Sequence, residues 1–224
     1  MDRVTRDLTK SWNRLVEGMI KIPYEEIESW LKSHFSEILE KMKESAKNGY
    51  QTYTDDNINV TNSYSGDPFD IGFVCDKKLS LPGNETNVLL YYEPTAKVIH
   101  INSSLALKTY KTKESLYSAI LEGLVHELTH ASDPGRKFKK NDYTDYDEYV
   151  NNDIEFPAFV NMFINKLKNK IRDGKLDVAT IASAVRSGES IPDKEIASFM
   201  DKLNDDNRRK FIKYIYKEII EAAV

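Results

Sequence analysis

The string His126-Glu127-Leu128-Thr129-His130 constrains this 224-residue chain more than any other feature. On an α-helix, residues i and i+4 lie one turn apart on the same face, so the spacing brings both imidazoles within reach of one metal ion. Neutral imidazole nitrogen is a favoured zinc ligand, and a hydrolytic zinc site takes three protein ligands with a fourth position left to water. Glu127 then falls beside that water without binding the metal, where a general base is needed. The competing reading is a solvated helix face that happens to carry two histidines.

The helix carrying this string is predicted from about Thr112 to Ala131. Thr112 suits an N-cap, Glu114 suits the positive first turn, and Asp133-Pro134-Gly135 stops the helix just after the second histidine. Leu116, Tyr117, Ile120, Leu121, Leu124 and Leu128 recur as an apolar stripe, while Ala119, Gly123, His126 and His130 line another face. Glycine inside a helix costs about 1 kcal/mol relative to alanine, so Gly123 implies a close approach on that side. Either a ligand or a tightly packed strand satisfies that requirement.

Upstream, Val88-Leu89-Leu90-Tyr91-Tyr92 and Lys97-Val98-Ile99-His100-Ile101 read as two short strands joined at Glu93-Pro94-Thr95-Ala96. Asn102-Ser103-Ser104-Leu105 then leads away toward the motif helix. Over residues 88–167 the chain resembles the zincin metallopeptidases, on the strength of this strand pattern followed by HExxH. The resemblance implies an α+β zincin-like fold, a zinc ion, and a sheet edge on which a polypeptide substrate lies as an extra strand. A metzincin would need Gly and His three and six residues after the second motif histidine, and Asp133 and Arg136 stand there instead. His34 falls in a distant amphipathic helix and His100 ends a strand, so neither is the expected third ligand.

A carboxylate is therefore expected as the third ligand, and Glu155 is the first choice. It opens a segment in which Phe159, Val160, Phe163, Ile164, Leu167 and Ile171 recur at core spacing. The pattern is similar to the gluzincins, where a glutamate on the next major helix completes the site. It is also similar to small HExxH domains often encoded by phages, in which Glu is followed three residues later by Ala, as Glu155 is by Ala158. Pro157 disfavours helical backbone at Phe156, which puts Glu155 at the helix entrance and leaves a helix-stabilising carboxylate as the rival reading. Asp153, Asp147, Glu148 and Asp133 remain alternatives. Tyr143, Tyr146 and Tyr149 sit between the two helices; Tyr146, the central one, is the candidate to stabilise an oxyanion, against a plainer role covering a loop.

Thirty-two basic and 36 acidic residues give a net charge of −4, which with no dense basic face argues against nucleic-acid binding. Neither a membrane span nor a signal peptide is expected, since residues 1–20 are charged throughout. The single cysteine, Cys75, cannot form an internal disulfide, which suits a reducing, cytoplasmic setting, in a phage-infected host if the chain is phage-encoded. Three regions are expected: a helical 1–48, a catalytic core 49–174 that is β-rich to about Leu107, and a helical 175–224. In that last region, helices are predicted at Leu176–Val185, Asp193–Leu203 and Asn207–Ala223. The sequence thus predicts a zinc-dependent peptidase or related amide hydrolase acting on polypeptide, held by His126, His130 and Glu155, with Glu127 as base. The alternative is a non-catalytic zincin-like scaffold or virion component whose metal is structural or absent.

Overall fold

The computed structural model describes residues 23–49, 51–54, 57–61, 68–79, 88–132 and 145–223. They form an α+β protein of two compact units, 23–132 and 145–223. The helix stop expected at Asp133–Gly135, and residues Arg136 and Tyr143, lie outside the described residues.

The first unit opens with α1, Tyr24–Asn48. Pro23 precedes it, a position where a missing N–H costs nothing, and Glu25 and Glu26 sit in the positive first turn. Gly49 ends it at φ 86°, a left-handed conformation that favours glycine, and its N–H donates to the Ser45 carbonyl at 2.9 Å. Five strands follow: β1 Thr52–Tyr53, β2 Ile58–Thr61, β3 Pro68–Asp76, β4 Leu90–Glu93 and β5 Val98–Asn102. β1 and β2 pair antiparallel with successive stretches of β3, β3 runs parallel to β5, and β5 pairs antiparallel with β4. Among the described residues β4 is therefore an edge strand, paired on one side alone.

Strand alternation sorts this sheet into two faces. Ile71, Phe73 and Cys75 of β3, Leu90 and Tyr92 of β4, and Ile99 and Ile101 of β5 all join one core with Leu31, Ile38 and Met42 of α1. Trp30 stacks on Phe73 at 4.6 Å. Burial pushes the Cys75 thiol up to about 12, so the cysteine is a small core residue and no thiolate ligand. The segment after β5, expected to run straight to the motif helix, instead folds as α2, Ser103–Thr109. Asn102 explains the difference: its side chain accepts from the Leu105 amide and caps the new helix. The motif helix α3 spans Lys113–Ala131 and begins with a capping box between Thr112 and Ser115.

The second unit is helical: α4 Tyr146–Asn151, α5 Glu155–Arg172, α6 Val178–Ser187, α7 Lys194–Lys202 and α8 Asp205–Ile215. A π-helical turn, Tyr216–Ile220, follows α8. Asp145, Asp177, Asp193 and Asn204 each cap a helix through the side chain. The core is aromatic, with Phe163 stacked on Phe199 at 4.4 Å and Phe211 edge-on to Phe199 at 5.2 Å. Asn151 ties α4 to the start of α8, donating to the Lys202 carbonyl and accepting from the Asn204 amide. Among the described residues no helix is long and apolar enough to cross a membrane.

Candidate metal centre

Helical spacing does what the sequence demanded. His126 and His130 occupy the last turns of α3, both buried, with their Nε2 atoms 3.1 Å apart and their rings nearly perpendicular. Two imidazoles bound to one tetrahedral zinc at Zn–N distances of about 2.0–2.1 Å would hold their nitrogens roughly 3.3 Å apart. The observed separation fits that requirement; it also fits one imidazole donating a hydrogen bond to the other. His126 and His130 thus present two imidazole nitrogens that one metal ion could bind. Glu155, the first residue of α5, is itself buried. Pro157 sits in the first turn of α5, where its missing N–H breaks no bond, so the helix starts ahead of the proline.

The small-residue face of α3 has a structural cause. A Cβ built on Gly123 would lie 2.9 Å from Leu90 Cδ1, so the glycine lets the helix close on β4. Packing against a strand, rather than a ligand, accounts for it. That approach brings Glu127 to the sheet edge, where its Oε2 accepts from the main-chain N–H of Tyr92 at 2.9 Å. The sequence held no sign of this contact, because a main-chain donor has no residue type. Tyr91, beside it on β4, has its hydroxyl pKa raised by burial first and then by the carboxylates of Glu93 and Glu127, which keeps the phenol protonated.

Tyr146 lies in the first turn of α4, 54% exposed, with its ring 6.2 Å from Tyr149 and 6.5 Å from Phe159. Partial burial, followed by the Asp147 carboxylate, raises its pKa, so it is a hydrogen-bond donor at neutral pH. Of the alternative acids, Asp147 pairs with Lys202. Glu148 and Asp147 both sit in the first turn of α4.

His100 is a strand residue, as expected, but it belongs to a cluster the sequence did not reveal. Its Nδ1 lies 2.7 Å from Asp76 Oδ2 and its Nε2 3.1 Å from Glu93 Oε2. The parallel pairing of β3 with β5 makes this possible by placing Val74 opposite His100 and Asp76 opposite Asn102. Gln51 donates to the other Asp76 oxygen at 2.6 Å. The Asp76 hydrogen bond raises the His100 pKa, Glu93 adds to it, and burial opposes both. His34, packed on Trp30 at 4.7 Å with Nδ1 against the Trp30 carbonyl, lies on α1.

No family model matches the chain, and no curated protein or solved structure does either.

Proposed function

We propose that the chain is a zincin-like, zinc-dependent amide hydrolase acting on polypeptide, similar in plan to the gluzincins. One observation carries the reading: the paired Nε2 atoms of His126 and His130, 3.1 Å apart on one helix face with Glu127 between them in sequence. His126 and His130 would hold the ion together with a carboxylate, for which the sequence pattern favours Glu155, and a donor set of two imidazoles and a carboxylate suits zinc. Zinc bound there would polarise a scissile carbonyl and make water more acidic.

The remaining work falls to the chain. Glu127 takes a proton from the attacking water and passes it to the departing amine, as a carboxylate within reach of both groups does. In the protein without substrate, the Tyr92 N–H donates to Glu127 and places the carboxylate at the sheet edge. Tyr146 is the proposed oxyanion donor, since its phenol stays protonated.

Glu127→Gln tests the assignment: it keeps every proposed ligand and removes the base. Zinc binding should persist while hydrolysis of a peptide library falls by at least about 100-fold, the usual scale of general-base catalysis. Equal cleavage by variant and wild type would refute the role of Glu127. Equal inactivity of both zinc-loaded proteins would favour a scaffold with a structural metal.

A further inference from the structure

The contact between Glu127 and Tyr92 sits on a main-chain group with a second potential use. Asn102 N donates to the Leu89 carbonyl at 2.9 Å, so the opposed pair Leu89–Asn102 is hydrogen-bonded. Opposed pairs in an antiparallel ladder alternate between bonded and non-bonded. Continuing the register, Leu90–Ile101 is non-bonded, Tyr91–His100 bonded and Tyr92–Ile99 non-bonded. The N–H and C=O of Leu90 and Tyr92 therefore point away from β5, out of the edge of the sheet. Glu127 Oε2, 2.9 Å from Tyr92 N, meets that outward N–H. An extended chain laid along β4 would need the same hydrogen, and an amide has one.

We propose that the Tyr92 main-chain amide docks Glu127 in the resting protein, and that an extended polypeptide pairing with β4 displaces the carboxylate by supplying its own carbonyl to that amide. This step rests on the reading of the substrate as an extended polypeptide. The exchange ties the position of the base to occupancy of the edge: with β4 unpaired, Glu127 is held on the strand, and once the edge is paired the carboxylate is released. The docked contact is charge-assisted, and so competes well with an entering neutral carbonyl. Binding at β4 is therefore weaker than the strand edge alone would give.

Amide-resolved hydrogen exchange by NMR on the full chain, with no metal added, tests this without turnover. Tyr92 N–H should exchange at least about tenfold faster in Glu127→Ala than in wild type, the scale of losing a hydrogen bond to a charged acceptor. The Asn102 amide, bonded within the ladder, should be unchanged. A capped hexapeptide of alternating threonine and valine should bind Glu127→Ala about tenfold more tightly than wild type on the same scale, and should restore protection at Tyr92. Equal exchange rates, a matching acceleration at Asn102, or peptide binding that is equal or undetectable in both proteins would each overturn the proposal. The hydrolase reading would survive those results, because it fails on a different observation, the inactivity of zinc-loaded wild type.

Discussion

At the residue scale, Glu155 is where a metal ligand and a helix-end carboxylate make different demands. A ligand removed from a three-residue set should cost more than the 10–100-fold in affinity typical of losing a group behind the ligands. A carboxylate that only favours the start of α5 should cost about 1 kcal/mol of stability and leave affinity alone. Competition titration of zinc against a chromophoric chelator, comparing Glu155→Ala with Asp153→Ala and Glu148→Ala, should show the large loss in Glu155→Ala; loss in another variant moves the ligand there. His100 yields a pH prediction. Its folded-state pKa is raised above 6.5 by Asp76 and then Glu93, so its stabilising contribution is complete below that value and is lost as pH rises through the raised pKa. The melting-temperature advantage of wild type over His100→Gln should therefore be largest near pH 6 and shrink toward about pH 9. An advantage that grows with pH would contradict the Asp76–His100–Glu93 bridge.

At the element scale, the contact between α3 and β4 turns on one missing methyl group. Gly123→Val would drive side-chain carbon into Leu90, whose Cδ1 already lies 2.9 Å from a built Cβ, and should destabilise the fold by about 1–3 kcal/mol in urea unfolding. Gly123→Ala should be milder, because the gain in helix propensity, about 1 kcal/mol, opposes the clash. A valine variant as stable as wild type would mean the helix and strand are not closely packed. The elements legible in the sequence were those written in local signals. Thr112 marked the start of α3, the 3.6-residue stripe its buried face, and Glu93–Ala96 the hairpin joining β4 to β5. The parallel pairing of β3 with β5 was not legible, since Val74 and His100 are 26 residues apart and no local pattern encodes their register. Without that register, Asp76 could not be placed beside His100. The helix Ser103–Thr109 was missed because its cap, Asn102, also reads as the end of a strand.

At the scale of the whole molecule, two histidines one helical turn apart carried the site into view, because that spacing is set by the helix alone. Glu155, 25 residues beyond His130, could be chosen from the sequence only by the pattern of the segment it opens. The division into units 23–132 and 145–223 likewise reflects contacts that composition does not record. Wild-type protein, loaded with zinc and dialysed against a weak chelator, should retain about one zinc per chain by elemental analysis, since its donor set matches zinc's preference. His126→Ala and His130→Ala should each retain essentially none. A wild-type protein that holds no zinc, or alanine variants that hold as much as wild type, would contradict the assignment of His126 and His130 as a metal centre.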